Sequence, residues 1–134
     1  MGAYLSAGNK YKSLKVINGL DFTNNLLSLP NIEELIINGI NSNYTITESS
    51  IVVKNRLPII EKLELTNVEF NDTILDFRGC TRLSVLDLSG CTGISNIIFP
   101  ETDRLTDVYL PKGITKLTLG KNANLSNLVF DENT

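Results

Sequence analysis

The sequence predicts a β-rich solenoid, in which repeated units stack into a coil rather than fold around one centre. Its phrase LPNIEELIINGI at Leu29–Ile40 returns 28 residues later as LPIIEKLELTNV at Leu57–Val68. Inside each copy the last three apolar positions alternate with polar ones, which is the period-2 signal of a half-buried strand. A unit that recurs at a spacing of roughly 20 to 50 residues is typical of repeat architectures, whose apolar faces are covered by neighbouring repeats.

The first strand of each turn is predicted from five copies of a Leu-x-x-Leu-x-Leu template. The gap between the first two copies is too short for a full turn, so the N-terminal turn is expected to be truncated. The five copies are Ile17/Leu20/Phe22, Ile32/Leu35/Ile37, Ile60/Leu63/Leu65, Leu83/Leu86/Leu88 and Ile114/Leu117/Leu119.

A second regularity sets the length of a turn. An apolar-x-apolar pair recurs every 11 residues, at Leu75, Leu86, Ile97 and Val108, so a full turn is roughly 22 residues with an extended segment on each side. The piece Val108–Leu110 is interpreted as an extra strand between the last two template copies.

The remaining segments are less regular. Asn41–Pro58 is the longest insertion, and within it Ser49–Asn55 is compatible either with one or two helical turns or, through Ile51, Val52 and Val53, with a strand. The aromatic residues after the template copies are predicted to lie in back or intermediate strands, with the phenylalanines packed in the core. These residues are Phe77, Phe99, Tyr109 and Phe130.

Composition argues against several functional classes. The 134 residues include no histidine and no tryptophan, and the net charge is −3 with lysine and arginine scattered singly. Without histidine the commonest general base and zinc ligand are missing, and no phosphate loop or nucleophile motif occurs. Without a basic cluster there is no footprint for nucleic acid. We therefore predict a protein that is not an enzyme, binds no cofactor or metal and does not bind nucleic acid.

The sequence predicts neither membrane insertion nor a disulfide. No stretch approaches the roughly 20 apolar residues of a membrane span, and no signal peptide is visible, so the localisation stays open. Cys80 and Cys91 occupy matching places in two half-turns, on opposite sides of the coil, and are predicted to be buried free thiols.

The repeated phrases resemble those of leucine-rich repeat proteins from Leu14 to Phe130, and the short strand-like second halves are closest to the bacterial surface-antigen (BspA-like) type. The resemblance implies an α/β leucine-rich repeat solenoid that is strongly β-rich. It would be a curved right-handed coil with a parallel concave sheet and short strands or turns on the convex side. It also implies a polar ladder at the ninth position of the repeat. Two aliphatic residues there predict an irregular coil, since the five positions are Asn25, Ile40, Val68, Cys91 and Asn122.

The predicted binding surface is the outward face of the first-strand sheet, where this fold would recognise a partner. Its residues are mostly small, polar and mildly acidic. The alternative interpretation of the same strip is an ordinary solvated sheet surface. The putative concave binding face comprises Asp21, Thr23, Ile36, Asn38, Glu64, Thr66, Asp87, Ser89 and Thr118.

Two functional classes follow from these expectations. The first is a non-catalytic protein-interaction module, with residues 1–13 as an N-terminal arm or cap and residues 14–134 as a repeat domain open at its C-terminal end. The second is a structural component of a larger assembly, such as a bacteriophage tail or baseplate, or a fragment of a longer repeat protein. In both, the expected partner is a protein, either another chain or copies of itself at the C-terminal end. The location would be a cell surface or a virion if the chain is part of a longer protein or assembly.

Overall fold

A computed structural model describes residues 12–17, 28–38 and 45–130, and over these residues the chain is a parallel β-solenoid with almost no helix. A single 3-10 turn, Val53–Asn55, is the one helical element of this part of the chain. The strands are β1 Ser13–Ile17, β2 Glu34–Asn38, β3 Thr45–Ile46, β4 Ser50–Val52, β5 Lys62–Asp76, β6 Val85–Ile98, β7 Asp107–Tyr109, β8 Lys116–Thr118 and β9 Asn127–Val129.

The strands form two parallel columns on opposite sides of the coil. Column 1 contains β1, β2, the first part of β5, the first part of β6, β7 and β9, in that order. Column 2 contains β4, the end of β5, the end of β6 and β8. Strands β5 and β6 are long because each runs through both columns, and β3 pairs with the middle of β5. Among the described residues, four successive turns place a strand in both columns, as β2 with β4, β5, β6, and β7 with β8.

The apolar core lies between the columns and is built from stacked rows of equivalent residues. Leu35, Leu63, Leu86 and Val108 are consecutive Cα partners in column 1, and each is at most 1% exposed. The facing row of column 2 runs through Ile51, Leu75, Ile97 and Leu117. A fully buried side chain of this size stabilises the fold by about 1.5–3 kcal/mol relative to an exposed one. Because the residues of each row are covered by their equivalents in the neighbouring turns, the predicted stacking of β-rich repeats is confirmed.

The predicted recurrence of apolar positions every 11 residues is also confirmed. Leu75 and Ile97 point inward from column 2, and Leu86 and Val108 point inward from column 1. Val108 is therefore not part of an extra strand. It belongs to β7, which continues column 1 beside β6.

One of the five template copies was assigned wrongly, and the first copy lies mostly outside the described residues. In the first turn Leu14, not Leu20, pairs with Leu35, and Leu20 lies outside the described residues. At the other end Leu117 pairs with Ile97 in column 2, so the last copy is half a turn away from the predicted column. Both columns show the same apolar alternation, and a shift by half a turn leaves that pattern unchanged.

Segment Ser49–Asn55 combines the two structures that the sequence left open, because strand β4 is followed directly by the 3-10 turn. Phe77 and Phe99 are buried as predicted, whereas the prediction for Phe130 was wrong. Its side chain is 54% exposed, since no described residue covers the outer side of the last turn.

Hydroxyl groups link successive turns at the residue before each column 1 strand. Ser84 Oγ donates to the Glu61 carbonyl at 3.0 Å, Thr106 Oγ1 to the Ser84 carbonyl at 3.3 Å, and Ser126 Oγ to the Thr106 carbonyl at 3.2 Å. A matching ladder precedes column 2, where Thr73, Ser95 and Thr115 donate to the carbonyls of Glu48, Thr73 and Ser95. The carbonyls of Glu61, Ser84 and Thr106 also accept backbone N–H groups from the next turn, so the hydroxyls add a further bond between turns that are already paired.

The predicted ninth-position ladder is present only in part. Cys91 Sγ donates to the Leu65 carbonyl at 3.2 Å, one turn back. Asn122 Nδ2 donates to the Pro100 carbonyl at 2.8 Å, but its template copy lies in column 2, so this bond is on the other side of the coil and does not extend the Cys91 position. Val68 is buried and apolar at the equivalent place, and the other two positions, Asn25 and Ile40, lie outside the described residues. The assignment to the α/β leucine-rich repeat class and the right-handed curvature stay predictions.

Candidate functional site

The outward side chains of column 1 form one ordered surface, which we call the column 1 face. It brings three of the predicted site residues, Ile36, Glu64 and Asp87, into a single row, and places Asn38 beside Thr66 in the next row. The main contacts of the described strands are with their ladder neighbours, apart from a contact of β5 with the 3-10 turn, and Ile36, Glu64 and Asp87 are only half-buried. The central row runs through Lys15, Ile36, Glu64, Asp87, Tyr109 and Val129.

Ser89 lies at the edge of this face, where its hydroxyl and its backbone N–H both donate to Asp87 Oδ1, at 2.7 and 3.0 Å. Thr118 is not on the face at all, because β8 belongs to column 2. The predicted site residues Asp21 and Thr23 lie outside the described residues.

Two carboxylates stand next to each other in the central row. Glu64 and Asp87 are Cα partners in neighbouring parallel strands, which lie about 4.8 Å apart. Glu64 has no hydrogen bond or ion pair with any described residue, and Asp87 is bonded only within its own strand. Like charges on adjacent strands destabilise a sheet slightly, so this pair is an unfavourable feature of the free protein that a cationic partner would relieve.

The carboxylates in the turns just before the column 1 strands, Glu33 and Glu61, are compensated, unlike the central pair. Arg82 Nη2 contacts Glu61 Oε2 at 2.6 Å and Glu33 Oε2 at 3.4 Å, and Lys12 Nζ lies 3.6 Å from Glu33 Oε1. These groups sit in the turns just before four column 1 strands, β1, β2, β5 and β6, and link them. Such exposed pairs contribute little individually, about 0–1 kcal/mol each.

Tyr109 is the residue of this face that the sequence argument missed. Its strand was interpreted as an extra piece, but its register with Asp87 places the ring outward in the central row, half-buried between Asp87 and Val129. Tyrosine combines apolar area with a hydroxyl and is enriched where binding energy concentrates. The 11-residue spacing from Asp87 to Ile98 and Tyr109 was the signal that could have placed it.

The thiols are confirmed as buried and free. Burial raises the pKa of Cys80 to about 11 and that of Cys91 to about 12, with the negative charge of Asp76 adding to the shift at Cys80 and a hydrogen bond from the Val68 backbone opposing it at Cys91. Such thiols are held in the protonated form at neutral pH and are poor nucleophiles.

Within the described ranges, no group of three histidine, cysteine, aspartate or glutamate side chains is arranged to hold a metal ion. None of the helical structure in the same ranges has the length and apolar character that crossing a bilayer requires.

Comparison with models of protein families, with curated proteins and with solved structures finds no match for this chain.

Proposed function

We propose that the chain is a non-catalytic protein-interaction module that binds its partner with the column 1 face. One observation carries the proposal: the uncovered central row holds two adjacent uncompensated carboxylates, Glu64 and Asp87, next to the half-buried ring of Tyr109. A rigid surface of this kind loses little conformational entropy on binding. The leucine-rich repeat assignment is part of the proposal, supported by the repeated phrases and by the β-rich parallel coil.

The expected partner presents a lysine or arginine side chain. A cation placed between Glu64 and Asp87 removes their repulsion, and its aliphatic stem can lie along the Tyr109 ring. The partner side of the interface would therefore be basic, whereas the enzyme class has no support in the chemistry of the face.

Site-specific photocrosslinking in the cells of origin tests this proposal. A benzoylphenylalanine residue replaces Tyr109, and the matched control replaces Lys116, which is exposed and points outward from column 2. We expect a discrete crosslinked protein from position 109 and none from position 116, with the product lost when Glu64 and Asp87 are both changed to lysine. Equal crosslinking from both positions, or survival of the product in the double variant, would contradict the proposal.

The structural-component class is favoured by a different observation. Among the described residues, four large apolar side chains are exposed, and two of them, Leu119 at 58% and Phe130 at 54%, follow β8 and β9 at the C-terminal end of the described coil. Copies stacked end to end would cover them. Light scattering after size-exclusion chromatography separates the classes, because assembly predicts oligomers that a Leu119→Ser, Phe130→Ser double variant abolishes, whereas the interaction module alone predicts a monomer.

A further inference from the structure

A second concave surface crosses the outer corner where column 2 ends, and we call it the corner groove. It has a volume of about 480 Å³ and is lined by residues from three successive turns, including Arg78, Gly79, Ile98, Glu101, Thr118 and Leu119. It lies on the opposite side of the coil from the column 1 face, so its role is independent of binding there, although it shares Leu119 with the end-to-end contact of the structural-component class. Thr118, which the sequence argument placed on the binding face, belongs here instead.

Arg78 is fixed at one end of the corner groove. Its Nε donates to both carboxylate oxygens of Asp76, at 3.0 and 3.1 Å, and its Nη2 donates to Asp76 Oδ2 at 2.6 Å. Asp76 is only 7% exposed and also accepts a bond from the Arg78 backbone N–H at 2.9 Å. The guanidinium is therefore oriented before any ligand arrives.

This side-on pair leaves the other edge of the guanidinium available. Nη1 has no hydrogen bond with a described residue, and Nη2 uses only one of its two N–H groups. Those two nitrogens form the fork that binds a second carboxylate end-on with two parallel hydrogen bonds. The anchor thus fits a planar carboxylate.

The rest of the corner groove supplies complementary chemistry. Ile98 and the exposed side chain of Leu119 offer apolar surface, while the Glu101 carboxylate and the Thr118 hydroxyl have no bonded partner among the described residues. A carboxylate such as Glu101 accepts hydrogen bonds from peptide N–H groups and repels a second acidic group. The ligand therefore has one carboxylate, apolar side chains and N–H donors.

The ends of the corner groove fix how such a ligand lies. Three turns span about 10 Å along the coil, which is the length of three extended residues at about 3.3 Å each. At the Arg78 end, the Lys54 side chain lies across Gly79 so closely that a Cβ at position 79 would stand 2.3 Å from Lys54 Cδ. Lys54 therefore places a second cationic side chain at the Arg78 end, and this positive charge favours the carboxylate end of a peptide there.

We propose that the corner groove binds the C-terminal carboxylate of an extended protein segment whose last three residues include apolar side chains. Arg78 binds the terminal carboxylate, Glu101 accepts a backbone N–H, and Ile98 and Leu119 contact the side chains. Recognition of chain ends by fixed donors is an established mode of peptide binding.

The test is a titration of the ¹⁵N-labelled full chain with N-acetyl-Leu-Ala-Leu as the free acid, followed by NMR. Two matched ligands are the C-terminal amide of the same peptide and a peptide whose only carboxylate is an internal aspartate side chain. We expect the free acid to shift the amide signals of Gly79, Leu119 and Gly120, and both matched ligands to bind at least about tenfold more weakly, as the loss of a charge-assisted bond implies.

Variants extend the same experiment. Arg78→Lys keeps the positive charge beside Asp76 but removes the two parallel N–H donors of the guanidinium, so it should lower the affinity for the free-acid peptide by about tenfold or more. Arg104→Gln changes an exposed arginine outside the corner groove and should bind like the original chain. Three outcomes would each overturn the proposal: equal affinity for the free-acid and amide peptides, stronger binding of the internal-aspartate peptide, or no shift of the amide signals at about 5 mM free acid. All three are measured on the original chain, so none depends on whether a variant folds.

Discussion

Replacing Leu86 by alanine is the sharpest test of the stacked core. Leu86 is fully buried, and its Cα partners are Leu63 in the turn before and Val108 in the turn after, both at most 1% exposed. Both neighbours belong to the same hydrogen-bonded sheet, at a strand spacing of about 4.8 Å. The coil therefore cannot contract to fill the space that the shortened side chain leaves.

The magnitude follows from this geometry. Leu→Ala removes three carbon groups, which is a transfer loss of about 2.4 kcal/mol at ~0.8 kcal/mol each. A cavity that does not collapse adds to this, and buried Leu→Ala changes span about 2–5 kcal/mol. We expect the free energy of unfolding to fall by about 3–4 kcal/mol, a large share of the roughly 5–15 kcal/mol that a domain has.

The assay is urea unfolding followed by circular dichroism, with Leu119→Ala as the control of identical chemistry. Leu119 is 58% exposed, so its truncation should cost less than about 1 kcal/mol. If Leu86→Ala costs no more than Leu119→Ala, the inward rows are not the stabilising core and the reasoning fails.

Three further predictions concern individual groups. Cys80 and Cys91 should not react with Ellman's reagent at pH 8 in the native protein, because burial raises the pKa of these thiols to about 11 and about 12. Both thiols should react once the protein is unfolded in urea. Rapid labelling of the native protein would contradict their burial. The hydrogen bonds from Arg78 lower the pKa of Asp76, so the stabilisation by this carboxylate is present above about pH 4 and is lost as the pH falls through its folded-state pKa. Urea unfolding from pH 7 to pH 2 should therefore show that the difference in unfolding free energy between the original chain and Asp76→Asn becomes smaller below pH 4. A constant difference would refute this. Gly93→Ala should lower the free energy of unfolding by at least about 2 kcal/mol, because φ is +80° and a Cβ would overlap the Phe70 carbonyl oxygen. Gly113→Ala is the control, since φ is +77° but the space around it is open, and it should cost about 1 kcal/mol. Equal costs for the two variants would show that the overlap at Gly93 does not matter.

The sequence was sufficient for the fold where alternation and spacing agreed. Leu35, Leu63 and Leu86 lie in register as their shared template predicts, because a period-2 apolar pattern fixes which side of a strand faces the core. The same rule cannot distinguish the two columns, since both face the same core. For that reason Leu117 was placed half a turn away from its observed position.

The candidate sites depended on that assignment and were predicted less completely. Glu64 and Asp87 were placed on one face because their template copies were correct, whereas Tyr109 was missed because its strand was not recognised as a turn of its own. The corner groove could not be predicted, since it depends on the Arg78 conformation and on the close approach of three turns. Neither feature leaves a pattern in the order of residues.

The most direct test of the central claim is the pattern of inter-strand NOEs in the NMR spectrum of the full chain. The stacked parallel coil predicts Hα–HN contacts that join Leu63 to the Leu86 strand and Leu86 to the Val108 strand, with a second series through Leu75, Ile97 and Leu117. Antiparallel cross-strand contacts, or contacts from Leu86 to residues of the Leu117 strand in the same column, would contradict it.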